Sequence, residues 1–126
     1  MKFNEHKEFI RKSYSKYRGI GYIECPAFDN EKIYFNKIGF NHLIWKGKKM
    51  RDPKEQRSRI NLINHAIEII EKCKIWTEYR EDLKILGNGS VSNAKFWSLS
   101  GKIKNTKVKA IIRQTNDSRK YFLSVM

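Results

Sequence analysis

Only three side chains of this 126-residue sequence carry a group that titrates near neutral pH by nature: His6, His42 and His65. His42 has the setting that chemistry on a polyanion needs. It follows Gly39-Phe40-Asn41, precedes Leu43, and stands among Lys37, Lys46, Lys48, Lys49 and Arg51. An imidazole there can move a proton at a phosphate ester while cations hold the ester's oxygens. A lone histidine is more often structural or merely exposed. His65 reads as solvated on a polar helix stripe, and His6 is a weaker candidate near the start of the chain. Arg57 and Arg59 fall at the beginning of a long helix, where a cation opposes the helix dipole. Each can be an ordinary surface charge, and Arg57 is taken as a candidate phosphate ligand.

Other chemistries lack their residues. A metal-dependent nuclease needs clustered carboxylates or His/Asp sets. Residues 87–126 contain a single acidic side chain, Asp117, and Glu78, Glu81 and Asp82 read as a solvated strand end or turn. There is no Walker loop, no GxSxG and no zinc-ligand spacing. The expectation is an activity without metal or cofactor. RNA permits one, because its 2′-hydroxyl is an internal nucleophile and the protein needs only to move protons and stabilise phosphate charge. DNA lacks that hydroxyl. Cys25 and Cys73 lack CxxC spacing and read as free thiols. No apolar run resembles a secretory signal or reaches transmembrane length, so a cytoplasmic protein without a membrane partner is expected.

Charge supports an anionic partner. Lys and Arg number 27 against 13 Asp and Glu, a net charge of +14, while 40% hydrophobic content indicates a folded chain. The excess is uneven: +6 over residues 1–50, +1 over 51–86 and +7 over 87–126. The middle reads as scaffold and the flanks as a partner-facing surface.

These residues must be positioned by a single domain, residues 1–126. A helix is predicted over 4–18, ended by Gly19, and β-prone runs over 20–25 and 32–36 flank a turn. The segment 39–46 reads as a short helix. Residues 53–73 give the strongest periodicity, with Ile60, Ile63, Ile67 and Ile70 on one row and Leu62, Ala66, Ile69 and Cys73 on a parallel one. A sheet is needed to cover so wide an apolar face. Strands are predicted over 95–99, 107–115 and 120–125, with a fourth within 74–86, giving an α+β fold: N-terminal helices packed on a C-terminal four-stranded antiparallel sheet. In 107–115, Val108, Ala110 and Ile112 alternate with Lys107, Lys109, Ile111 and Arg113. Lys120, Phe122 and Ser124 are expected beside the cations. Such a face is either plainly solvated or built for RNA, whose phosphates take the charges and whose unpaired bases stack on rings. The near absence of acids after residue 86 favours RNA.

The run Ile33-Tyr34-Phe35-Asn36-Lys37-Ile38-Gly39-Phe40-Asn41-His42-Leu43, followed by Arg51, Arg57, a long apolar helix and a basic β meander, resembles the phage-associated nucleases grouped with barnase, EndoU, ribonuclease colicins and RelE. The likeness covers the chain from about residue 32, so residues 1–31 are an N-terminal helix and connection and 32–126 a BECR-like nuclease core. It implies a helix-then-four-stranded-sheet fold, metal-free RNA cleavage, and a role in toxin–antitoxin or phage–host conflict. His42 matches the histidine of an F-x-x-x-G-F-x-H-L stretch, and Arg51 and Arg57 match basic positions after it. Arg113, Tyr121 and Ser124 follow by analogy with the cationic, hydroxyl-bearing strands of such enzymes. The sheet has no second histidine, unlike several relatives, which leaves the second acid/base group unassigned.

The sequence therefore predicts a metal-independent endoribonuclease. His42 is general base or acid, and Arg57 and Arg113 stabilise the transition state. Lys46, Arg51, Lys95, Lys107, Lys109 and Lys120 bind RNA, and an acidic antitoxin or immunity protein masks the basic face. The rival is a non-catalytic nucleic-acid-binding protein, or an inhibitor of a host nucleoprotein complex, which explains the charge equally well.

Overall fold

Alternation along the strands and helical spacing along 53–73 divide this chain into surfaces that must meet, and the computed structural model, which describes residues 3–126, shows how they do. Helix α1 spans Phe3–Arg18, and strands β1 (Tyr22–Cys25) and β2 (Glu31–Tyr34) follow as a hairpin. Helix α2 (Lys37–Ile44) leads into a two-stranded ribbon of β3 (Trp45–Lys46) and β4 (Lys49–Met50). Helices α3 (Pro53–Asn61) and α4 (Ile63–Lys72) precede strands β5 (Glu78–Ile85), β6 (Val91–Ile103), β7 (Thr106–Thr115) and β8 (Tyr121–Val125).

The fold is α+β, and the C-terminal meander is antiparallel as expected. The main sheet nevertheless has six strands, in the order β1-β2-β8-β7-β6-β5, where four were predicted. The two extra strands come from the N-terminal hairpin, which joins through one parallel pair, Tyr34 with Tyr121. Local sequence cannot reveal that contact, since it links residues 87 positions apart. The predicted 53–73 helix is also two helices. Leu62 adopts φ −83°, ψ −6°, and its N–H donates to the carbonyls of Arg59 and Ile60, tightening the turn.

Beyond that break, Ile63, Ala66, Ile69 and Ile70 of α4 bury against the sheet face carrying Val108, Ala110, Ile112, Trp97 and Leu99. One hydrophobic cluster extends from Tyr17 through these residues to Val125. Cys25 is buried, Cys73 partly so, and both thiols are free. Among the described residues no helix is long and apolar enough to cross a membrane.

Helix α2 is set by its ends and by one glycine. Asn36 caps it, its side-chain oxygen accepting from the N–H groups of Ile38 and Gly39 at 3.1 and 3.4 Å. Phe40 and Leu43 enter the core. A Cβ on Gly39 would lie 2.3 Å from the Phe122 carbonyl oxygen and 2.7 Å from the Tyr17 hydroxyl, so only glycine lets α2 lie this close to β8. The G-F-x-H-L pattern thus has a packing reason: glycine for approach, Phe40 and Leu43 for the core, and His42 turned away from it.

Candidate functional site

His42 reaches a concavity of about 400 Å³ bounded by α2, α3 and the open face of the sheet. Arg51, Arg59, Glu78, Arg80, Ser98, Lys109 and Ser124 line it too. Register explains the sheet's share. Ile111 pairs with Ser98 and with Ser124, and Lys109 lies two residues along the same face. Ser124 is there because of a β-bulge. Ile112 pairs with Phe122 and Ile111 with Ser124, leaving Leu123 as the extra residue. In unbroken alternation from Phe122, Leu123 would face Ile111 and Ser124 would point to the helix side.

The arginines are fixed by one carboxylate. Asp52 caps α3, accepting from the Glu55 N–H at 2.8 Å. Glu55 Oε1 then accepts from Arg51 Nη1 at 2.6 Å and lies 3.4 Å from Arg59 Nε. Arg51 Nε also donates to the His42 carbonyl at 3.1 Å, tying the ribbon's exit to α2. Arg59 Nη1 donates to Ser124 Oγ at 3.4 Å and to the Val125 carbonyl at 3.3 Å. Across the concavity, Lys109 Nζ meets Glu78 at 2.7 Å.

Burial holds His42 below its usual pKa of 6.5, and the positive charges of Arg113, Arg51 and Arg59 push the same way. Both effects favour the neutral ring, the form able to accept a proton.

A second feature adjoins it. Register aligns Arg80, Phe96, Arg113 and Tyr121 in one row across β5, β6, β7 and β8. Arg80 and Arg113 lie over the Phe96 ring at 4.4 and 5.5 Å, and Arg113 lies 6.0 Å from the Tyr121 ring centre. Arg113 Nε is buried without a hydrogen-bond partner. A ring between two guanidinium groups is a surface on which a base can stack beside its phosphates.

The structure thus brings together His42, Arg51, Lys109, Arg113 and Ser124 of the residues expected from sequence. Lys107 shares the open face but lies toward its far end, exposed, opposite Lys102. Lys46 is exposed on the β3–β4 ribbon, beside a smaller hollow lined by His42 and Trp45. Tyr121 is buried beyond Arg113 and opens on a separate hollow with Asn36 and Arg119. Arg57 lies outside the concavity, and Arg59, two residues on and so on another side of α3, takes that place. Lys95 and Lys120 belong to the opposite side of the sheet. Lys95 shares parity with Trp97 and Leu99, and Lys120 pairs with Glu31 at 2.8 Å, over the rings of Phe28 and Trp97. Phe122, expected beside the cations, is fully buried in the core.

The sequence does not single out Arg80 or Phe96, and in it Glu78 reads as a solvated strand end or turn, whereas Glu78 lines the concavity. The alternation of Phe96 and Ser98 with Trp97 and Leu99 marks their face, but only pairing register places them beside Arg113 and Ile111. No group of three or more His, Cys, Asp or Glu side chains able to hold a metal is found among the described residues. Comparison with family models, curated proteins and solved structures finds no match.

Proposed function

We propose that this protein is a metal-independent endoribonuclease, a toxin or mobile-element effector of the BECR-like kind, working in the cytoplasm. The observation that carries the reading is the convergence on one concavity of a partly buried histidine with Arg51, Arg59, Lys109 and Ser124, flanked by Arg113.

In this reading neutral His42 takes the proton of the ribose 2′-hydroxyl. The 2′-oxygen bonds to phosphorus as the bond from phosphorus to the 5′-oxygen breaks, and the departing oxygen takes a proton from the imidazolium or from water. Arg59 and Arg113 hold the non-bridging oxygens as their charge grows, and the Ser124 hydroxyl adds a donor. The Arg80-Phe96-Arg113 stack receives the neighbouring base. Lys46 and Lys107 extend the track along the phosphates. An acidic antitoxin or immunity protein would cover this basic face.

The arginine–aromatic row requires no chemistry of its own, and it favours the second reading, a protein that only binds nucleic acid. Incubating the purified protein with single-stranded RNA in excess EDTA separates the two. The nuclease reading expects fragments ending in a 2′,3′-cyclic phosphate. Tight binding with intact RNA establishes the binding protein instead, and cleavage abolished by EDTA overturns the metal-free mechanism.

A further inference from the structure

Strand β5 ends the sheet, and all eight of its residues are exposed. Its backbone is half-used. Leu86 N–H donates to the Ser90 carbonyl at 2.8 Å, so in the antiparallel ladder the even residues of β5 bond to β6. The N–H and C=O groups of Tyr79, Glu81, Leu83 and Ile85 therefore point away from the sheet. The side chains of these four residues share one face, on which Tyr79, Leu83 and Ile85 are exposed at 45%, 69% and 77%. Edge strands commonly carry charges that deter pairing. Here the order of the signs decides what the edge accepts.

We propose that β5 pairs antiparallel with β5 of a second copy of this chain, about a two-fold axis through Glu81, joining two sheets into one. A two-fold perpendicular to the sheet keeps its faces aligned, so each candidate register is centred on one residue. Centred on Glu81, Arg80 faces the partner's Asp82 and Glu78 faces the partner's Lys84, each twice by symmetry. Tyr79 faces the partner's Leu83, also twice. The axial Glu81 side chains are the one like-charged pair, and each already accepts from Asn93 Nδ2 at 3.1 Å and lies beside Lys95.

Neighbouring registers fail. Centring on Arg80 sets Glu78 against Asp82, and centring on Asp82 sets Arg80 against Lys84. Centring on Leu83 keeps one attractive combination, Asp82 with Lys84, but places Glu81 against Ile85. Opposite charges directly across a ladder stabilise it and like charges destabilise it.

Glu78 and Arg80 also line the concavity. The second copy would set its Lys84 and Asp82 at that rim, so two sites would flank one continuous sheet. This pairing does not depend on what the concavity binds.

Sedimentation equilibrium on the full chain tests it, with circular dichroism to check folding. Wild type should dimerise in the micromolar range. Leu83→Pro removes one outward donor and no bond to β6, and should give a folded monomer. Arg80→Asp should weaken the dimer about tenfold or more. Arg80→Asp combined with Asp82→Arg should restore it to within about threefold, because in this register alone the exchanged residues face each other. The on-strand contact between Arg80 and Asp82, at 3.6 Å, survives the exchange. A wild-type monomer at several hundred micromolar, a dimer insensitive to folded Leu83→Pro, or an exchange that fails to restore association overturns the proposal.

Discussion

The two faces of the C-terminal sheet are built from the same strands and differ in almost everything else. On the helix side Trp97, Leu99, Val108, Ala110, Ile112, Phe122 and Val125 are buried and belong to one hydrophobic cluster. One residue along, Phe96, Lys109, Ile111 and Arg113 are partly exposed and the buried hydroxyls of Ser98 and Ser124 lie beneath them, a face of cations, hydroxyls and one ring. The contrast shows how a small chain carries a site without weakening its core. Period-two alternation sends stability to one face and chemistry to the other, and a single bulge at Leu123 adjusts the parity where a hydroxyl is needed. Lys120 marks the cost of reading parity without that bulge: it belongs to the helix side, held by Glu31.

Substitutions on the two faces should therefore have separable effects. The largest is expected at His42. His42→Ala should slow cleavage by roughly 10²–10⁴-fold while leaving RNA affinity nearly unchanged, since proton transfer rests on one ring and binding on many cations. Parallel cleavage and filter-binding assays check it, and equal losses in both would make His42 a binding residue.

On the buried face, Ile112→Ala should cost about 2–5 kcal/mol in urea unfolding, the usual range for truncating a core isoleucine. Ile111→Ala, one residue away on the open face, should cost markedly less. Similar costs would erase the distinction between the faces.

A third comparison uses cations alone. Replacing Lys107, Lys109 and Arg113 together should flatten the log-affinity versus log-salt slope by up to about 2 units, at ~0.7 per single-strand phosphate contact. Replacing Lys95 and Lys120, which belong to the other side, should leave that slope unchanged. The reverse ranking would move the RNA surface to the helix side.

The smallest effect concerns pH. Folding holds His42 below its usual pKa of 6.5, so the unfolded chain binds the proton more readily. Its contribution to stability is present above pH 6.5 and is lost as pH falls through the lower folded value. The acid-side decline in unfolding free energy should therefore be shallower in His42→Ala. The base limb of the cleavage profile should likewise fall off below pH 6.5, because catalysis needs the neutral ring.

Much of this was legible in the sequence. Alternation in 107–115 identifies which side chains face the core, because each strand residue is committed to one side by backbone geometry. Helical spacing finds the apolar face of 53–73, and Gly39-Phe40-Asn41-His42-Leu43 marks a helix whose histidine stands apart from its packing residues. Charge counts locate the basic flanks. Other features depended on contacts between distant segments. The single Tyr34–Tyr121 pair makes the sheet six strands wide, and the turn at Leu62 divides one periodic helix into two. Glu55 selects Arg59, not Arg57, as the arginine at the concavity, and the bulge at Leu123 turns Ser124 toward it. Local sequence encodes the direction of a side chain relative to its own strand or helix, whereas neighbours across a sheet are set by register and packing. The sequence alone therefore determined which residues were available for chemistry, and the tertiary structure decided which of them meet.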